Sequence, residues 1–194
     1  MWKIGRRMRS CGVVSLVAIL VPLSGLGEAQ TVRPAHQSSV PTDPPAKVRR
    51  ETASELASLA DDQAAAALAA AAVMDRDPRV REEAVRGLRG TLAEAEFPVL
   101  QQALLDVEAR VRAAAIQTLS DIGGDAAISL LAFALTDEDA TLREEVVYAL
   151  DKIGGPTAIA LLQYALRDRQ DSVREAAADI LAELEAEQRK RPAR

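Results

Sequence analysis

The chain has 194 residues, of which 48% are hydrophobic, 3% aromatic and 27% charged, with one cysteine and one histidine. So few aromatics among so much alanine disfavour a β-sandwich or barrel, and the single Cys and His exclude a disulfide framework, Cys–His or Ser–His nucleophiles and ordinary zinc sites. The net charge of -5 is unevenly placed: residues 1–29 hold four of the 24 cations and one of the 29 acids, leaving 20 against 28, a net of -8. An acidic body of that kind repels nucleic acid and anionic lipid headgroups.

In chain order, the amino terminus reads as a targeting segment. Lys3, Arg6, Arg7 and Arg9 form a basic region, and the 16 residues from Cys11 to Leu26 form an apolar run broken by Pro22. Gly27-Glu28-Ala29 then offers small residues at both positions a signal peptidase requires, so 1–29 is predicted to be a signal peptide cleaved after Ala29. The run is shorter than the roughly 20 residues of a spanning helix. Export to the periplasm follows, with no membrane span after cleavage; retention of residues 11–26 as an inner-membrane anchor is the alternative. Residues 30–50 contain Pro34, Pro41, Pro44 and Pro45 with Ser38, Ser39 and Thr42, and no apolar period, which predicts a disordered tether holding His36.

From there the chain repeats every 31 residues. Asp75, Asp106, Asp137 and Asp168 are evenly spaced, and six residues after each stands Arg81, Arg112, Arg143 or Arg174 behind an aliphatic residue. Seven further on comes Leu88, Leu119, Leu150 or Leu181. A fixed period with a constant internal register marks a solenoid, in which no single unit buries its apolar face alone. The copy 123–153 shows the physics. Gly123-Gly124 ends one helix, Asp125 caps the next, and Ile128, Leu131 and Leu135 form its apolar stripe. Thr136 to Asp139 makes a turn, and the second helix places Leu142, Val146, Leu150 and Ile153 on one face, widened by Val147. The other copies are 61–91, 92–122 and 154–184, with a half-unit at 51–60 capping one end. The charged stretch Glu183 to Arg191 extends the last helix and closes the other. In the copy 92–122 the two glycines are replaced and Pro98 stands inside the incoming helix, which predicts a longer or kinked junction.

The phrase Leu-Thr-Asp-Glu-Asp-Ala-Thr-Leu-Arg-Glu-Glu-Val-Val-Tyr-Ala-Leu-Asp-Lys-Ile-Gly-Gly at 135–155 resembles the short HEAT-like repeat, a type also found in phycobilin lyases. The resemblance covers residues 51–190 and implies an all-α, right-handed α-solenoid of antiparallel helix pairs. It also implies a structural ladder of turn aspartates and helix arginines tying adjacent copies, with pairs Asp75/Arg81, Asp106/Arg112, Asp137/Arg143 and Asp168/Arg174. In that family the second helix of each copy lines the concave side. Here its solvent positions make two columns, Glu82, Ala113, Glu144, Glu175 and Arg86, Gln117, Tyr148, Asp179.

No catalytic, metal or cofactor constellation emerges. The glycine pairs lack a phosphate-loop pattern. Asp137-Glu138-Asp139 starts like a calcium loop, but the internal glycine is missing and the twelfth residue is Tyr148. Carboxylate pairs such as Glu144-Glu145 read as exposed helix faces. What remains is recognition: a non-catalytic protein-binding scaffold whose candidate contacts are Glu82, Arg86, Gln117, Glu144, Tyr148, Glu175 and Asp179, taking a protein partner with a basic segment. The resemblance supplies a runner-up, a phycobilin-lyase-like chromophore lyase or isomerase, against which the export signal argues. The basic groove of HEAT-like DNA glycosylases has no counterpart in this acidic chain.

Overall fold

The structure, a computed structural model, describes residues 43–59, 61–90 and 97–190. The predicted signal peptide and residues 30–42 of the predicted tether lie outside them. Contacts divide the chain into two units, Met1–Thr91 and Leu92–Arg194.

In the first unit, α1 (Ala46–Ala57) packs on α2 (Asp62–Met74) and α3 (Pro78–Gly87), and a 3-10 turn, Leu88–Gly90, follows α3. The helix α1 begins inside the stretch predicted to be a tether through residue 50, so the half-unit starts at Ala46 and not at residue 51. Its buried stripe is Arg49, Thr52, Ala53 and Leu56. Two of those four are polar, which hid the helical period from a search for apolar residues. In α2 the buried stripe is Ala64, Ala67, Leu68, Ala71 and Ala72, small enough for close helix approach. Gly87 is needed for that approach: a Cβ there would stand 3.0 Å from Leu68 Cδ1 and 3.1 Å from Ala57 Cβ. The starts of α2 and α3 are capped by side chains, Asp61 accepting from the Ala64 amide and Asp77 from the Arg79 amide, each at 2.8 Å.

The second unit holds α4 (Phe97–Ala103), α5 (Ala109–Ile122), α6 (Gly124–Ala134), α7 (Ala140–Ile153), α8 (Pro156–Ala165) and α9 (Asp171–Lys190). Sequential helices pair as α4·α5, α6·α7 and α8·α9, while second helices pack on second helices (α5·α7, α7·α9) and first on first (α4·α6, α6·α8). This is the antiparallel helix-pair repeat expected from the 31-residue period. Leu142, Val146, Val147 and Leu150 of α7 are buried, and Ile153 is half-buried.

Gly123 and Gly154 end α5 and α7 in the left-handed region, both at φ 70°, and their amides bond to Leu119 O and Leu150 O at 2.9 Å. Gly123 also stands at the N-cap of α6, so Asp125 lies inside the first turn and does not cap it. With one residue between the helices, the glycine has taken the position expected for the aspartate. Pro98 is the second residue of the short helix α4, where its missing donor is harmless, and so does not interrupt it.

The arginine–aspartate ladder exists, with a register different from the one expected. Arg112 does not pair with the Asp106 carboxylate of its own copy. Its Nε and Nη2 donate to the two carboxylate oxygens of Asp137, one copy ahead, at 2.7 and 3.2 Å. Arg143 grips Asp168 in the same way, at 2.7 Å on both oxygens. What each arginine takes from its own turn is a main-chain carbonyl: Nη1 of Arg81, Arg112, Arg143 and Arg174 donates to the oxygen of Asp75, Asp106, Asp137 and Asp168 at 2.8–2.9 Å. Each aspartate carboxylate in turn accepts the amide two residues on, as Asp137 does from Asp139 at 2.9 Å. One guanidinium therefore ties its own turn to the next. In the first unit the corresponding arginine is Arg49, whose Nε and Nη2 reach Asp75 at 2.7 and 2.8 Å. The sequence reading missed Arg49, although Val48-Arg49 repeats the Val80-Arg81 pattern, because the two pairs are 32 residues apart and not 31.

Candidate functional site

The second helices α5, α7 and α9 lie side by side in the second unit, so their solvent positions fall into columns one repeat apart. Gln117, Tyr148 and Asp179 are all exposed, as is Glu175, while Glu144 is half-buried. Tyr148 is 53% exposed, and its hydroxyl donates to Glu144 Oε1 at 3.3 Å across one helical turn. Partial loss of water, the charge and hydrogen bond of Glu144 and the charge of Asp179 together raise the phenol above its usual pKa of 10.0. A neutral ring therefore stands between two carboxylates from adjacent helices. That arrangement joins an apolar surface to negative charge, the combination suited to an aliphatic side chain flanked by Lys or Arg.

In the first unit, Glu82 and Arg86 occupy the corresponding helix positions on α3 and bind each other, Arg86 Nη1 to Glu82 Oε1 at 2.7 Å. An i,i+4 pair of this kind neutralises its own charge. The candidate contacts thus separate into a self-paired couple on α3 and an acidic group around Tyr148.

Glu145 departs from expectation. Adjacent to Glu144, it is not an exposed carboxylate: Oε2 is buried and has no hydrogen-bond partner among the described residues. Burial first, and the charge of Asp139 second, raise its pKa above the usual 4.5. In the equivalent positions of the second unit Ala114 and Ala176 are buried, while the copy 61–91 carries Glu83, so the column mixes glutamate with alanine and gave no consistent signal.

The sequence reading also passed over the exposed aromatics of the first helices, Phe133 and Tyr164. Phe133 lies with Leu105 and Val107 along a shallow groove of about 510 Å³ beside the Arg112–Asp137 pair. They were invisible because the apolar register of α6 and α8 was read only for its buried stripe. Two further contacts span one period: Lys152 with Asp121, and Arg169 Nη2 with Glu138 O at 2.9 Å. Among the described residues no three His, Cys, Asp or Glu side chains are grouped to hold a metal ion, and no helix is long and apolar enough to cross a membrane.

The profile of the HEAT repeats family matches residues 37–120 and 97–182, most of the chain. The protein belongs to the HEAT-repeat family. No curated protein is significantly similar to it in sequence. Among solved structures, the complex of CpcE and CpcF of phycocyanin lyase from Nostoc sp. PCC7120 is 24% identical, with a TM-score of 0.56 over 84% of this chain and 70% of that one. Human deoxyhypusine hydroxylase, in complex with glycerol, is 19% identical, with a TM-score of 0.55 over 91% and 75%. An engineered protein is 22% identical, with a TM-score of 0.51 over 92% and 81%. At these identities the likeness establishes the fold alone: an all-α helical repeat of the solenoid class.

The state of Glu145 gives a pH test. Its folded-state pKa is raised, so its contribution to stability is fully present below the unfolded carboxylate pKa and is lost as pH rises through the folded value. Glu145→Gln is therefore expected to raise the melting temperature at pH 7. The gain should shrink towards zero as pH falls into the ordinary carboxylate range and the wild-type side chain takes up its proton. Melts of both proteins between pH 7 and pH 4 check this; a gain independent of pH would place the carboxylate in water.

Proposed function

We propose that this HEAT-repeat protein is a non-catalytic interaction scaffold, exported to the periplasm or cell envelope, that binds a protein partner through its second-helix face. The observation that carries the reading is the acidic group on α7 and α9, where Tyr148 stands exposed between Glu144 and Asp179. Acidic charge beyond the folded core steers a basic partner segment, and the attraction weakens with salt because screening acts over about 8 Å at physiological ionic strength. Nucleic acid is disfavoured by the same charge. The likeness to the phycocyanin lyase complex favours a second reading, a chromophore lyase or isomerase. An enzyme of that kind needs an enclosed pocket with converging polar groups, whereas a scaffold works from an open face.

Export rests on the basic, apolar and small-residue succession ending at Ala29. Amino-terminal sequencing of the exported protein should begin at Gln30; a full-length, membrane-embedded species would make residues 11–26 an anchor.

For the binding face, the partner is captured from envelope extract and purified, and its association kinetics are measured. Tyr148→Ala should raise the dissociation rate roughly tenfold or more, the consequence of truncating an anchor worth about 2 kcal/mol. Charge reversal at Glu144 and Glu175 should lower the association rate and flatten its salt dependence. Equal binding by all three variants would move the working surface to the first-helix edge beside Phe133.

A further inference from the structure

Among the described residues a ladder arginine towards the carboxyl end and an aspartate at the ladder spacing towards the amino end each lack a ladder partner, and the two are complementary. At the carboxyl end, Arg174 repeats the geometry of Arg143 on its own side, donating from Nη1 to Asp168 O at 2.8 Å. Ahead of it there is no further copy in the described chain. Its side chain is 39% exposed where that of Arg143 is 3% exposed, its Nη2 turns back to Asp171, and its Nε has no acceptor among the described residues. The apolar positions around it are opened in the same way. Leu166 is 40% exposed where its counterpart Leu135 is 5% exposed, and Ile159 and Leu181 are half-buried where Ile128 and Leu150 are buried. The charged turns at the end of α9 follow these positions, which stay partly exposed.

At the amino end the missing carboxylate is present. Asp43 stands six residues before Arg49, the same Asp-x5-Arg spacing as in every copy. Arg49 Nη1 donates to Pro44 O, as Arg112 Nη1 does to Val107 O. Asp43 therefore stands at the ladder-aspartate spacing ahead of α1, although Pro45 offers its carboxylate no amide two residues on, and no ladder arginine among the described residues grips it. Its carboxylate is 45% exposed, against 10% for Asp168, and Arg76 approaches it only to 3.7 Å. Val48 on α1 and Leu59 in the turn after it are exposed where their counterparts Leu142 and Ile153 are buried or half-buried.

From this pairing of an arginine and an aspartate that each lack a ladder partner and have only local ion pairs, each flanked by aliphatic residues more exposed than their counterparts, we infer that the protein associates head to tail with a second copy of itself, Arg174 of one molecule gripping Asp43 of the next as Arg143 grips Asp168. Such an interface joins two different surfaces, so it propagates into a ring or an open filament unless something stops it. It leaves the face around Tyr148 free and is independent of what that face binds.

The test is sedimentation velocity on the full chain over a range of concentrations, with each variant first shown by circular dichroism to be folded. The wild type should associate as concentration rises. Asp43→Arg and Arg174→Asp, each alone, set like charges against each other at the junction and should weaken association at least tenfold. A one-to-one mixture of the two variants restores opposite charges at every junction and should recover the wild-type behaviour. If Arg174→Asp does not fold, Asp43→Arg alone decides, since Asp43 lies on the surface: it must weaken association. A wild type that stays monomeric throughout, association unchanged by the variants, or a mixture that fails to recover would each overturn the inference.

Discussion

A guanidinium buried to the extent of Arg143 is tolerable only if its charge and its donors are met, and in this protein the groups that meet them belong to two successive turns. Nε and Nη2 are satisfied by the carboxylate of Asp168, Nη1 by the main chain of Asp137 and Glu138. The pairing holds the arginine charged above its ordinary pKa and the Asp168 carboxyl below its own, the hydrogen bond between them being the leading cause for both. Because one side chain addresses both turns, the helix pairs can stack in only one register. Relaxing that register would strand charge inside the protein, and removing one partner of such a pair typically costs about 3–5 kcal/mol.

Specifying a register differs from supplying stability. A buried ion pair is often no better than apolar residues of the same volume, whereas each buried Leu, Ile or Val contributes roughly 1.5–3 kcal/mol. Leu119, Leu131, Leu150 and Leu162, all essentially inaccessible, hold the layers together; the arginines decide how those layers are aligned. The same logic explains why the helix ends hold glycine. With one residue between α5 and α6, only a left-handed φ brings the chain round quickly enough to keep the period.

The division of labour also accounts for what could be read from the sequence. Period, helix pairing and the buried leucines were legible because recurrence and aliphatic spacing report burial directly. The partner of each arginine was not. A spacing of six residues within a copy and one of 25 between copies recur equally often in a perfect repeat, so periodicity cannot choose between Asp106 and Asp137 for Arg112. Arg49 was hidden by a one-residue change of register and by the prolines before it. At the candidate site, Tyr148 with Glu144 and Asp179 was legible as a pattern of solvent positions, and the structure brings these three together. The self-pairing of Arg86 with Glu82 and the burial of Glu145 depend on side-chain direction and on neighbouring helices, and no column of letters contains that.

The most direct measurement is a pair of double-mutant cycles on unfolding free energy, using Arg143→Met with Asp168→Asn and Arg143→Met with Asp137→Asn. If each arginine grips the carboxylate one copy ahead, the first cycle yields a coupling of more than about 1.5 kcal/mol and the second falls well below it. Additivity within about 0.5 kcal/mol for Arg143 and Asp168, or a larger coupling to Asp137, would contradict the account.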